Sequence, residues 1–400
     1  MIDLKRLMRK GKVSNHEFQE RYQDSISASY SVPDITIVAG KGAFLVDADG
    51  KKYLDFLSGI ATNALGAAHP KIIKAVTSQV GKVSHISNFY GNPETIKLAA
   101  RLQAISGDPR ARIFFCNSGA EANEAAIKIS RLTGRREIIA MRGAFHGRTM
   151  GALSLTGQIQ KRAPFRPLLS DIRFVDFGDL RGLKNAVSSR TAMIIVEPIQ
   201  GENGVVVPPS GYLEGVEEVA RQKGALLAID AVQTGMGRTG QWFGYEDEGI
   251  NPDIVTLAKG LGGGLPMGAM IAMASAPQFS PGQHGTTFGG NPVVAAAANV
   301  VIDVIEDEDL MGRSKELYDL FEQEISKVPG VAEVRGKGLL IGVVLEEADA
   351  KNVVNGLKAA GVLANAATDF VVRLAPPLVI TMKEARRFIS IFKRVMQESI

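Results

Sequence analysis

From about residue 70 the chain alternates short apolar runs with stretches of helical periodicity, and this alternation restricts the fold more than any other feature. The runs are RIFFC (112 to 116), EIIAM (137 to 141), DIRFV (171 to 175), AMIIVE (192 to 197), ALLAID (225 to 230), DIVTLA (253 to 258) and GAMIAM (268 to 273). Each has the length of a strand, and segments such as 120 to 132 and 211 to 223 between them repeat as helices do. Strands separated by helices form βαβ units, so the expected fold class is α/β, with a mostly parallel seven-stranded sheet covered on both faces.

The flanks differ. GAFLVDADGKKYLDF places alternating apolar residues around Asp49 and Gly50, a hairpin signal. An alanine-rich helix is expected near 291 to 307. Beyond it, amphipathic helices (308 to 327, 348 to 360, 382 to 397) alternate with the strand-like VAEVR, LLIGVVL and FVVRLA. The expected organisation is an arm and hairpin at 1–69 packing with a smaller α+β domain at 308–400, around a large α/β domain at 70–307. With 400 residues, 45% of them apolar, the chain can bury a large core without staples. Cys116 is the sole cysteine, which suits a reducing compartment, and a cytoplasmic location is expected. The net charge of +4 forms no long basic run, which argues against nucleic acid or a membrane surface as main partner and for a small anionic ligand. The opening MIDLKRLMRKGKVSNHEFQERYQDS holds no apolar stretch of signal-peptide length, and the segment from Pro292 to Ile305 is too short to span a bilayer.

Ligands of open α/β sheets collect at the carboxyl ends of the strands. Four runs end there in polar groups: RIFFC leads into Asn117, Ser118, Gly119 and Ala120, AMIIVE ends at Glu197, ALLAID at Asp230, and DIVTLA is followed by Lys259. A lysine and an aspartate beside a dry sheet are costly unless paired or used. One ligand accounts for them all. A lysine amine forms an imine with an aldehyde cofactor, an aspartate keeps a pyridine nitrogen protonated, and N–H groups at a helix start receive a phosphate. Each element also has a bland alternative: Ser118 and Glu121 as a capping box, Lys259 as a solvent-facing lysine at a helix start, Asp230 as a cap on the next turn. Their conjunction at successive strand ends favours the ligand.

Other signals are weaker. Gly235, Gly237 and Gly240 spell G-x-G-x-x-G after a strand, but five residues separate the strand from the first glycine and QWFGYEDEG is a poor helix. A P-loop and a G-x-S-x-G elbow are both missing, and His16, His69, His85, His146 and His284 show no metal spacing.

The blocks NSGAEANEAAIK (117 to 128), AFHGRTMGALSLTG (144 to 157), VEPIQGENGVVVPPSGYL (196 to 213), AVQTGMGRTG (231 to 240), TLAKGLGGGLPMGA (256 to 269) and HGTTFGGNP (284 to 292) resemble the class III aminotransferases from about residue 27 onward. The resemblance implies a fold-type I enzyme that depends on pyridoxal 5'-phosphate (PLP) and works as a homodimer with active sites at its interface. It implies Lys259 as the imine-forming amine, Asp230 against the pyridinium nitrogen and Gln233 on the ring hydroxyl. Phe145 and Val232 would lie on the two ring faces, and Ser118, Gly119 and Ala120 on the phosphate. Thr287, with Thr286 as a second candidate, would reach the neighbouring subunit's phosphate. Arg148 and Arg373 are implied as carboxylate clamps, with Glu202 neutralising Arg373 when no carboxylate is there. Tyr30 would border the substrate entrance, and Asn88 falls in a substrate-loop segment.

The implied reaction is ping-pong transfer from N2-acetylornithine to 2-oxoglutarate, giving glutamate, a step of arginine biosynthesis. Ornithine, succinylornithine and 4-aminobutyrate remain alternative donors, and an aminomutase is a further alternative. A nucleotide-dependent oxidoreductase and a catalytically silent binding protein are the readings from other classes. Two departures from the family pattern, Ala231 and Ala67, stand where many members have Glu and His, and local repacking is expected there.

Overall fold

A computed structural model describes residues 13–399; the first part of the opening arm lies outside the described residues. The seven apolar runs assemble into one sheet, in the order Arg112–Cys116, Gly268–Ala272, Ile254–Leu257, Leu226–Asp230, Thr191–Val196, Glu137–Met141, Ile172–Val175. Gly268–Ala272 runs antiparallel to both neighbours and every other pairing is parallel. Five of these strands are buried at every residue, which is why their sequences are continuous apolar runs and not alternating ones.

The helices at 120 to 132 and 211 to 223 form at Gly119–Arg131 and Tyr212–Lys223. Gly119–Arg131 buries Ala122, Ala125 and Ala126, small residues that let it lie close to the sheet, together with Ile129. The alanine-rich segment folds as Pro292–Asp307 and packs against Pro70–Val80 and Pro93–Ile105, where Arg101 meets Asp303 at 2.5 Å and Glu306 at 2.9 Å.

Two smaller sheets flank the large one. Ile37–Lys41, Phe44–Asp47 and Lys52–Asp55 form an antiparallel meander around Gly50, whose φ of 89° suits glycine, and Val362–Leu363 adds to it in parallel from the far end of the chain. Val331–Lys337, Leu340–Leu345, Val371–Leu374 and Asn365–Thr368 form the other, wholly antiparallel. Ile37–Lys41, Val362–Leu363 and Asn365–Thr368 carry no strand signal in the sequence. Each lies at a sheet edge, where neither length nor apolar alternation is required.

An aromatic cluster ties the chain's two ends together. Phe56 stacks on Phe388 at 3.9 Å between centroids, and Phe321 meets both edge-on. These three side chains are fully buried and come from the residue that follows the meander, from Leu310–Ile325 and from Met382–Ser399. Phe388→Ala is therefore expected to destabilise the protein by about 3–5 kcal/mol, read as a lower urea midpoint.

Candidate active site

Strand direction decides which residues meet. Because most strands of the large sheet are parallel, Glu197, Asp230 and the Ala258–Lys259 step emerge at one edge. Gly268–Ala272 is antiparallel, so its amino end pairs with Cys116 and brings Gly264 to Met267 to that same edge. A cavity of about 470 Å³ opens there, lined by Ser118, Gly119, Ala120, Phe145, Arg148, Glu202, Asp230, Val232, Gln233 and Lys259, a size suited to a small molecule.

Asp230 is 3% exposed. Its Oδ2 accepts from Asn123 Nδ2 at 2.8 Å and pairs with His146 Nδ1 at 2.7 Å, and its Oδ1 accepts from the Val232 N–H at 3.0 Å. The bland cap on the next turn is real and coexists with a carboxylate facing the cavity. Asn123 is fixed in turn, donating to the His146 carbonyl at 2.7 Å and accepting from Thr256 Oγ1 at 2.9 Å. His146 Nε2, buried at the cavity wall, has no partner among the described residues. Neither Asn123 nor His146 was singled out from the sequence. The available signal was Asn123's place one turn after Gly119, on the same helix face as the anion site.

Lys259 opens a short 3-10 turn, Lys259–Gly262, with φ of 43°, and lines the cavity where a solvent-facing lysine was the alternative. Burial lowers its pKa, against the opposing pull of Glu202, which eases loss of a proton from the amine. Burial and then Asp230 raise the Glu197 carboxyl well above the usual range; its Oε2 accepts from the Phe145 N–H at 3.1 Å.

The helix start after Cys116 is built for an anion. Ser118 Oγ accepts from the Glu121 N–H at 3.2 Å, but Glu121 reaches past Ser118 to the Asn117 N–H at 2.7 Å, so only half of the capping box forms. The Gly119 and Ala120 N–H groups bond to nothing among the described residues. A Cβ on Gly119 would lie 2.8 Å from both methyl groups of Val232, so only glycine lets this turn close over the cavity. Free N–H donors, an apolar wall at Val232 and an aromatic wall at Phe145 fit a phosphorylated aromatic ring.

Arg373 is 2% exposed and fully engaged on one edge. Its guanidinium meets Glu202 at 2.5 Å, Gln233 Oε1 at 3.1 Å, the Gly201 carbonyl at 3.2 Å and Asn365 Oδ1 at 2.8 Å. A Cβ on Gly201 would sit 1.8 Å from Gln233 Oε1, so a larger residue there would displace the amide that accepts from Arg373. Burial opposes ionisation of Glu202, yet Arg373 and then Lys259 overcome it and hold the carboxyl at about 2. Arg148 is exposed, with its guanidinium carbon 5.6 Å from the Phe145 centroid.

Arg373, Tyr30, Asn88, Thr286 and Thr287 do not line this cavity, although Arg373 touches its lining residues Glu202 and Gln233. Tyr30 is 78% exposed. Asn88 donates to the Thr286 and Gly289 carbonyls at 3.2 Å each, and Thr286 Oγ1 accepts from Asn117 at 3.2 Å, so the loop is tied to the rim while Thr287 faces outward. The glycines at 235, 237 and 240 pack against Leu257, Leu378 and Lys315 and are followed only by the three-residue 3-10 turn Glu246–Glu248, so the helix start of a dinucleotide fingerprint does not form after them. Among the described residues no group of three or more His, Cys, Asp or Glu is placed to hold a metal ion, and no helix is long and apolar enough to cross a membrane.

A family model described as Aminotransferase class-III matches residues 25–396. The acetylornithine aminotransferase of Streptomyces coelicolor is 52% identical over 370 residues, covering 92% of each chain. A structure of ornithine aminotransferase from Toxoplasma gondii, with PLP partially occupying its active site, superposes with a TM-score of 0.92 at 33% identity, covering 99% of this chain and 97% of that one. Acetylornithine aminotransferase from Elizabethkingia anophelis superposes with a TM-score of 0.85 at 31% identity, covering 96% and 100%.

The Glu202 carboxyl, lowered from 4.5 to about 2, is more acidic folded than unfolded. Its contribution to stability is therefore present above pH 4.5 and lost as pH falls toward 2. Glu202→Gln should flatten that part of the stability profile; denaturation midpoints measured for both proteins between those limits check this, and parallel profiles would contradict it.

Proposed function

We propose how this chain works from one premise: it belongs to the class III aminotransferases. It is a PLP-dependent enzyme that transfers amino groups. When bound, the cofactor supplies an aldehyde that captures primary amines and a ring that withdraws electrons from the adjoining carbon. Everything else falls to the chain. Asp230 holds a proton on the ring nitrogen, Gln233 meets the ring hydroxyl, and Phe145 and Val232 enclose the ring. Ser118, Gly119 and Ala120 take the phosphate, with Thr287 and Thr286 of a second copy completing it. Lys259 would hold the cofactor through its amine and would carry a proton from the substrate carbon as general base, returning it as general acid. The observation that carries this reading is the convergence of a triply bonded, buried Asp230 and a lysine of lowered pKa on one cavity.

The donor is N2-acetylornithine, converted to N-acetylglutamate 5-semialdehyde, and the acceptor is 2-oxoglutarate, which becomes glutamate. The 52% identity with an acetylornithine aminotransferase supports this choice. Arg148 takes the donor carboxylate while Glu202 neutralises Arg373; glutamate engages both arginines. The protein acts as a homodimer, which the exposed Phe89, Tyr90 and Phe288 beside the tied 286 to 289 loop support. Tyr30 and Asn88 lie toward the substrate entrance. The cytoplasm is the proposed location, and 1–69, 70–307 and 308–400 are the proposed units.

With 2-oxoglutarate as acceptor, N2-acetylornithine should give the highest kcat/KM among itself, ornithine, succinylornithine and 4-aminobutyrate; a better rival would overturn the donor assignment. Arg148→Ala should lower kcat/KM about 10²-fold in both half-reactions. Arg373→Ala should do so mainly for glutamate, and equal damage in both halves by stopped-flow absorbance would refute the division of labour.

A further inference from the structure

We propose that Lys161 determines specificity: its ammonium and the Arg148 guanidinium together receive a substrate carboxylate beside the ring of Phe145. This rests on the reading of the cavity given above. Lys161 Nζ lies 4.9 Å from the Phe145 centroid and the Arg148 guanidinium carbon 5.6 Å, so two cations share one ring, Arg148 as a lining residue of the cavity and Lys161 from beyond its lining.

The nearby carboxylates are already engaged. Glu202 pairs with Arg373 at 2.5 Å, Asp230 with His146, and Glu197 receives the Phe145 N–H. Among the described residues neither Arg148 nor Lys161 is in an ion pair. Burial lowers the Lys161 pKa, Glu202 raises it, and Arg148 and Arg373 lower it further, so Lys161 lies within the field of the site's charges, and a bound carboxylate would favour its ammonium form. An anionic ligand supplies what the chain does not.

The position is built and not incidental. Thr156 Oγ1 accepts from the His146 N–H at 3.1 Å, the Gly157 N–H donates to the Ala144 carbonyl at 2.8 Å, and Gln158 Nε2 donates to the Gly143 carbonyl at 2.9 Å. Lys161 in turn donates to Gln158 Oε1. The stretch from Thr156 to Lys161 is thus laced to the loop that carries Phe145 and Arg148. An ammonium has three donors, and Gln158 takes one. If Lys161 served only to prop Phe145, a neutral chain of equal length would suffice.

The test uses the holoenzyme and sodium glutarate, a dicarboxylate without an amine, as competitive inhibitor. Lys161→Met keeps the apolar stem and removes the charge. It should raise the glutarate Ki and the KM for 2-oxoglutarate about tenfold, with Lys161→Arg staying near the parent. It should also lower about tenfold the preference, by kcat/KM, for an amine bearing a carboxylate over one without. Lys161→Gln and the visible spectrum of the bound cofactor guard against a folding defect. An unchanged glutarate Ki in Lys161→Met, with a raised one in Arg148→Ala, overturns the role of Lys161 and leaves the cavity reading standing. An unchanged Ki in both overturns that reading as well, and an equal loss for both amines assigns Lys161 to support of Phe145 and refutes the proposal.

Discussion

A carboxylate held out of water at the end of a dry strand is the constraint around which this molecule is arranged. Asp230 closes a strand buried at every residue, and an isolated charge there would be prohibitive. Three donors make it tolerable: a side-chain amide from the Gly119–Arg131 helix, a ring nitrogen from the Phe145 loop, and the N–H of Val232. Each requirement recruits an element. The helix must start close to the sheet, the loop after Met141 must turn inward, and the chain must bend immediately after the strand. The same three movements bring Gly119, Phe145 and Val232 to the rim of one cavity.

The second charge centre obeys a different logic. Arg373 comes from the smaller antiparallel sheet and meets the cavity through its lining residues, since Glu202, Gln233 and the Gly201 carbonyl on the large sheet's loops accept its guanidinium. This contact joins the two sheets through polar groups, while Phe56, Phe321 and Phe388 bind the chain's ends through apolar ones. On the proposed function the polar joint exchanges one anion for another; the aromatic joint has no such freedom. A site that must receive both a mono- and a dicarboxylate needs the exchangeable kind beside its ligand.

Much of this was legible in the sequence because burial leaves a direct mark. Strands dry on both faces must be apolar throughout, so the five inner runs of the large sheet stood out, and the polar residues that end them, Asp230 and Glu197 among them, stood out by contrast; the two outer runs, RIFFC and DIRFV, are partly exposed but still apolar enough to be read. The antiparallel direction of Gly268–Ala272 was not legible, since periodicity carries no information about direction. Edge strands such as Asn365–Thr368 were hidden because half-exposed residues need no apolar alternation, and with that strand went Asn365, a partner of Arg373. Asn123 and His146 were missed for a related reason. Their importance lies in which side chain they touch across more than eighty residues of sequence, a relation that local spacing does not encode.

Lys259 sits where its backbone prefers a residue with no side chain at all. Its φ of 43° belongs to the left-handed region, and a long side chain there carries strain of about 1–3 kcal/mol on top of the burden of burying an amine. Glycine would relieve both. On grounds of folding alone the position selects against the residue that occupies it, so the scaffold is most stable in a form that has lost its chemistry, and the lysine is a standing expense that function alone justifies.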